Sequence, residues 1–230
     1  MTINILQLLE GAQQARGLTV IIDVFRAFTV APLLIDKGAS ELIPVETVEQ
    51  AFLLKAKYQD AVMIGERNEQ KIDGFDYGNS PTHLTDAQLY NKRIIHTTSS
   101  GTKGITNARL ADEIITGSFV NINAIVNYIQ AQNPKNVSLV CMGYACQYPT
   151  EEDTFCAEYI AAILKGETPD FEKMKEIIRT TSGARFFDPS KASFSPQSDF
   201  DICMKINTFN FVLKAQKADD GFFRLHKILM

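Results

Sequence analysis

Oxygen-donor side chains gather in this chain where apolar runs of strand length come to an end. Asp23 closes the run Thr19–Val24, where an ionised carboxylate is costly without a partner, and Arg26 or a cation could be that partner. The stretch Ile64–Pro81 (IGERNEQKIDGFDYGNSP) places Glu66, Asp73 and Asp76 beside Arg67 in a glycine-containing loop, the composition of a hard-metal or phosphate site. Thr97–Gly104 (TTSSGTKG) supplies hydroxyls at the turn from a strand into a helix, which suits a phosphate, and helix capping by Ser99 or Ser100 explains it equally well. Glu152 and Asp153 fall in the first turn of a further helix, where they serve either electrostatic capping or metal ligation.

Carboxylates without thiol or clustered imidazole partners favour magnesium over zinc. Magnesium beside arginines and a hydroxyl-rich turn equips a protein for phosphoryl transfer or hydrolysis. Other chemistries fit less well. The turn at Thr97 lacks the GxxxxGK[ST] spacing of a nucleotide loop. Cys141, Cys146, Cys156 and Cys203 show no CxxC spacing, so neither a zinc cluster nor a disulfide frame is indicated. His83, His96 and His226 each stand alone and read as structural residues.

The elements that must position these groups alternate. Buried-strand runs at Thr19–Val24, Glu41–Val45, Ala61–Glu66, Arg93–Thr98, Glu113–Gly117 and Asn136–Met142 are separated by segments of helical period. Thr47 with Gln50 forms a capping-box pattern at the start of one of these. A short helix is expected near Thr85, and helices are predicted over Thr150–Leu164, Phe171–Arg179 and Ser198–Ala218. This gives a single domain over residues 1–230, an α/β fold of three α/β/α layers with a largely parallel central sheet and a helical C-terminal region from about residue 150.

Ligands of α/β sheets bind at strand ends, so Asp23–Arg26, Ile64–Pro81, Thr97–Gly104, Gly117–Asn121 and Gly143–Asp153 should share one crevice. A net charge of −4 argues against nucleic acid or an anionic membrane as partner and points to a small anionic molecule. No apolar run reaches membrane-span length and the first residues lack a secretory pattern, so a cytoplasmic location is expected. The stripe Ile122, Ile125, Val126 and Ile129 is either a homodimer surface or a buried helix face.

Taken together and in order, DVFRAFTV, GERN with GFDYGNSP, HTTSSGTKGI, GSFVNINAIV, VSLVCMGY and EEDTFCAEYIAAIL resemble the 2-phosphosulfolactate phosphatase family over about residues 19–165, with a weaker echo in DFDICMKINTF. The resemblance implies a magnesium-dependent phosphatase acting on phosphate esters of small 2-hydroxy acids. Its name reaction converts 2-phospho-3-sulfolactate to 3-sulfolactate and phosphate, on the route to coenzyme M. Carried onto this sequence, the motif positions give Asp23, Arg26, Arg67 and Asp76 as catalytic residues. Asn79, Ser80, Thr98, Ser99, Ser100, Gly101 and Thr102 become substrate contacts, and we assign Asp23, Glu66, Asp76, Glu152 and Asp153 as metal ligands. A substrate with further acid groups needs extra cations, for which Lys103 and Arg185 are available.

Three departures bear on the substrate. Ser99-Ser100-Gly101-Thr102 replaces the family's usual Thr-Asn-Gly-Thr turn, Ala145–Pro149 replaces a glycine-rich approach to the Glu-Asp pair, and Phe28 stands where a smaller residue is commoner. Phosphoglycolate or phospholactate is therefore an alternative ester, and a non-catalytic phospho-acid binding protein is the alternative from another class.

Overall fold

The computed structural model describes residues 1–230. In chain order the elements are β1 (Thr2–Gln7), α1 (Leu8–Gln14), β2 (Gly17–Ile22), α2 (Ala27–Asp36), β3 (Glu41–Pro44), α3 (Val48–Lys57), β4 (Val62–Arg67), β5 (Gln70–Lys71) and β6 (Arg93–Thr97). They continue with α4 (Gly101–Asn107), β7 (Ala111–Gly117), α5 (Ile122–Gln132), β8 (Asn136–Cys141), α6 (Glu151–Leu164), α7 (Phe171–Thr180), α8 (Gln197–Cys203), β9 (Phe211–Lys217) and β10 (Phe223–Leu229).

The α/β class and the largely parallel pairing are as expected, but the strands form two sheets. One has six strands in the order β1-β8-β2-β7-β9-β10, and the other has four in the order β3-β6-β4-β5. The pairs β1·β8, β8·β2, β2·β7, β3·β6 and β6·β4 are parallel, whereas β9, β10 and β5 add antiparallel edges.

β2 is central because every residue of GLTVII is buried, as a parallel strand covered on both faces requires. The pleat sends Val20 and Ile22 into one core with Ile125, Ile160 and Phe200, and Ile21 into another with Phe28, Leu34 and Ile105. Helices therefore cover both faces of the large sheet. The second core is shared with the small sheet through Leu42, Ile64 and Ile94, and the opposite face of that sheet packs Ile43, Met63 and Ile95 under Leu54 of α3. The capping box at Thr47 is present, with Gln50 N donating to Thr47 Oγ1 at 3.2 Å and Thr47 N donating to Gln50 Oε1 at 3.2 Å.

Two predicted helices fail, one of them in the C-terminal third. The helix predicted over residues 198–218 stops at Cys203, and Phe211–Lys217 is instead a strand between β7 and β10. Asn207, at φ 59°, takes a left-handed conformation in the turn between the end of that helix and the strand. Beyond it Phe211, Leu213 and Ala215 enter one core while Val212 enters the other, a period of two that the polar ending KAQKADDG obscures. The segment near Thr85 forms turns rather than a helix. The Ile122, Ile125, Val126 and Ile129 stripe is buried inside the chain, so it is core. No helix is long and apolar enough to cross a membrane.

Candidate active site

The C-terminal ends of β2, β4, β6 and β8 open onto one cavity between the two sheets, together with the start of α6 and the segment around Arg185. Its volume is about 40 Å³, room for a small group and a few waters, and its lining is mostly polar. Asp23, Glu66, Glu69 and Glu152 contribute carboxylates, and Arg26 and Arg185 contribute cations.

Each acid is held by the backbone around it. Asp23, 5% exposed, accepts from Ala27 N at 3.1 Å and from Gly101 N at 2.7 Å, tying the starts of α2 and α4 together. Glu66 accepts from Ser99 N at 2.6 Å, Ser99 Oγ at 3.2 Å and Glu69 N at 2.9 Å. Asp153 accepts from Val24 N and Gly143 N, both at 2.8 Å, clamping the ends of β2 and β8 from behind the cavity wall. Gly143 is required there. It sits at φ 62°, and a Cβ would lie 2.2 Å from the Tyr148 carbonyl oxygen.

Glu152 differs. It is 3% exposed, lines the cavity, and its Oε2 is buried without a hydrogen-bond partner. A buried carboxylate oxygen in that condition is costly, so it is prepared for a ligand or a proton. The electrostatics agree. Burial drives the Asp23 carboxyl up to about 7 against the pull of the Ala27 and Gly101 amides, with Glu66 and Glu152 adding to the rise. Burial also raises Glu152, opposed by Arg185, and raises Asp153 well above the usual carboxylate range with help from Glu152 and Asp23. Acids crowded in a dry site resist full ionisation unless a cation joins them.

The hydroxyl-rich turn has a different task from the one its composition suggests. Ser99 N and Gly101 N are committed to Glu66 and Asp23, while Thr98 and Thr102 bond each other through backbone and hydroxyl at 3.0 and 3.3 Å. Ser100 Oγ donates to the Gly143 carbonyl at 2.8 Å. Thr98, Ser99 and Ser100 line the cavity; Gly101 and Thr102 stand behind them. Asn79 also lines it. Its Oδ1 pairs with His96 Nε2 at 3.0 Å, which turns the amide nitrogen away from that ring. Burial pushes His96 down to about 4, so at neutral pH it is an uncharged partner of Asn79. Ser80 lies below, donating to Asp199 at 2.8 Å.

Several nominated residues are elsewhere. Asp76 is exposed and accepts from Met63 N at 2.8 Å, so it braces β4 rather than entering the cavity. Arg67 follows Glu66 on the same strand and points to the other side, where it donates to the carbonyls of Glu66 and Glu46 and to Thr97 Oγ1. Arg26 reaches the cavity, but its Nη1 donates to Asp199 Oδ2 at 2.6 Å and Phe194 O at 2.7 Å, and its Nη2 to Glu69 O at 3.1 Å. Sequence reasoning did not nominate Glu69 or Asp199. Glu69 lies within the acidic loop, three residues past Glu66, and was visible there; Asp199 opens the DFDICMKINTF echo, which carried no sign of the residues it would meet.

No cluster of three or more carboxylate, imidazole or thiol groups forms a ready metal cage. Magnesium does not need one, because it commonly uses one or two carboxylates, water and substrate phosphate. Asp23 and Glu152, buried and both facing the cavity, fit that pattern.

Known proteins show the same relationship. The family model for 2-phosphosulpholactate phosphatase matches residues 3–218. A protein of Carboxydothermus hydrogenoformans is 33% identical over 224 residues, covering 92% of each chain. A protein of Caldanaerobacter subterraneus is 31% identical over 213 residues (86% of this chain, 88% of the relative), and one of Bacillus subtilis is 31% identical over 204 residues (87% of each). All three are described as probable 2-phosphosulfolactate phosphatases. A match spanning nearly the whole chain, over a cavity of buried acids at converging strand ends, places this chain in the 2-phosphosulpholactate phosphatase family of phosphoric monoester hydrolases.

Proposed function

We propose that this hydrolase is magnesium-dependent and cleaves the phosphate ester of a small 2-hydroxy acid, with 2-phospho-3-sulfolactate as the leading substrate. The observation that carries the reading is the unpartnered Glu152 oxygen beside Asp23 in a cavity crowded with acids. Such a cavity repels a phosphate ester unless a cation is present. Asp23 and Glu152 would hold magnesium, which when bound supplies charge neutralisation for the phosphoryl oxygens. The substrate name comes from the relatives, which are described by that activity.

The protein's own groups do the remaining work. The Asn79 amide nitrogen, turned away from His96, offers a donor to the phosphoryl oxygens, and the Glu66 and Asp153 clamps hold the Ser99–Ser100 turn and the end of β8 that shape the wall around it. Phe25 and Tyr144 close the wall and limit water. Hydrolysis replaces the ester P–O bond with a bond to water oxygen and returns a proton to the leaving alkoxide.

The test is phosphate release from 2-phospho-3-sulfolactate, phospholactate and phosphoglycolate, each with magnesium and with a chelator, between about pH 5 and 8. Magnesium-dependent release from the sulfolactate ester, with weaker release from the others, supports the reading. Equal rates in chelator would remove magnesium from it, and preference for phosphoglycolate would reassign the substrate.

A further inference from the structure

The two guanidinium groups at the cavity differ in how their donors are committed. Arg26 is engaged with Asp199, Phe194 O and Glu69 O and acts as a brace for the C-terminal segment. Arg185 is held but underused. Its Nε is buried without a partner, its Nη2 reaches only the Phe25 carbonyl at 3.3 Å, and its Nη1 stands 3.5 Å from Glu69 Oε1. That last separation is long for a charge-assisted hydrogen bond. Meanwhile the guanidinium is fixed among aromatic rings, 5.1 Å from the Phe186 centroid, 5.4 Å from Tyr144 and 5.7 Å from Phe25. The side chain is 14% exposed, so water replaces little of the missing bonding.

We propose that Arg185 recognises a second anionic group of the substrate, a carboxylate or sulfonate next to the phosphate ester, and that Glu69 is the internal placeholder which this group displaces. The assignment rests on the phosphatase reading above. A planar guanidinium with unengaged N–H groups matches the paired oxygens of either acid. Lys103, the other cation considered from the sequence, does not line the cavity, and the terminal nitrogens of Arg26 and Arg67 already donate to protein acceptors. Glu69 has a second partner to keep when Oε1 yields, because Ser195 Oγ donates to its Oε2 at 3.2 Å. Arg185 is thus a specificity residue: it separates esters carrying a neighbouring acid from plain phosphate monoesters.

Titration calorimetry with two probes, 3-sulfolactate and inorganic phosphate, tests this in the presence of magnesium. For Arg185→Gln the expected result is phosphate binding within about twofold of native and sulfolactate binding weaker by about tenfold or more, the loss of a charged hydrogen bond. Arg185→Lys should recover part of the sulfolactate affinity. Glu69→Gln, which keeps the Ser195 contact, should tighten sulfolactate and provides an independent arm if Arg185→Gln folds poorly. Sulfolactate affinity unchanged by Arg185→Gln, phosphate and sulfolactate weakened equally, or Glu69→Gln weakening sulfolactate would each overturn the proposal. If the selective loss is found but no ester releases phosphate, the hydrolase reading fails and Arg185 stands. If esters are cleaved without any selective loss, only the Arg185 assignment fails.

Discussion

Replacing Asp23 with asparagine in metal-free protein separates electrostatic strain from ordinary loss of function. Burial, with Glu66 and Glu152, raises the Asp23 carboxyl from 3.8 to about 7, despite two accepted amides. A folded pKa above the unfolded one means that the native state binds the extra proton between those values. Its contribution to stability is complete below 3.8 and is lost as pH rises through about 7. The difference, 7 minus 3.8 or about 3 units, corresponds at 1.36 kcal/mol per unit to a ceiling of about 4 kcal/mol. Asparagine can accept only one of the two amide hydrogen bonds and sets its NH2 against the other, a cost of about 1–3 kcal/mol. The net expectation is a variant about 1–3 kcal/mol more stable than native protein near pH 8.5, with the advantage absent near pH 5. Urea unfolding in chelator across that range reads it directly. Magnesium added at the alkaline end should stabilise native protein and leave the variant unchanged. Parallel native and variant stabilities across the range, or a native protein that gains on the variant as pH rises, would refute the reasoning.

Other perturbations reach the scaffold behind the cavity. Asp199→Ala removes the 2.6 Å partner of Arg26 and the acceptor for Ser80 Oγ and Thr82 N, leaving a buried guanidinium without its carboxylate. The expected cost is about 3–5 kcal/mol in urea unfolding, and a loss below about 1 kcal/mol would show that the pair is not holding the C-terminal segment. Gly143→Ala forces a Cβ towards the Tyr148 carbonyl at positive φ. It should destabilise by about 1–3 kcal/mol and raise KM, since Gly143 O anchors Ser100 and Gly143 N anchors Asp153. An unchanged melting temperature and KM would count against that role.

What the sequence made legible followed from local periodicity. The short, β-branched, nearly continuous apolar run ending at Asp23 read as a strand buried on both faces, and the capping-box residues Thr47 and Gln50 marked the start of α3. Four of the five polar segments expected to share a crevice contribute to one cavity, with Asp23, Glu66 and Glu152 among its lining, whereas Gly117–Asn121 does not reach it. Direction was harder to read. Glu66 and Arg67 look equivalent in the motif, yet successive strand residues face opposite ways, a rule that already argued against Arg67 as a cavity residue. Asp76 lies in the same loop but returns to Met63 N, and nothing in its spacing marked that closure. Asp199 opens the DFDICMKINTF echo, but its role was hidden because its partners Arg26 and Ser80 lie 173 and 119 positions away. β9 escaped because strand pairing with β7 and β10 overrides the helix-favouring composition of KAQKA.

The most direct test of the central claim compares Asp23→Asn with Asp76→Asn in phosphate release from 2-phospho-3-sulfolactate, with magnesium and with chelator. Asp23 is buried in the cavity, whereas Asp76 is exposed, lies outside the cavity and accepts from Met63 N. The account predicts release by native protein that requires magnesium, a fall of about 10²- to 10⁴-fold for Asp23→Asn, and a rate within about threefold of native for Asp76→Asn. Activity retained by Asp23→Asn and lost in a folded Asp76→Asn would place the chemistry elsewhere and contradict it.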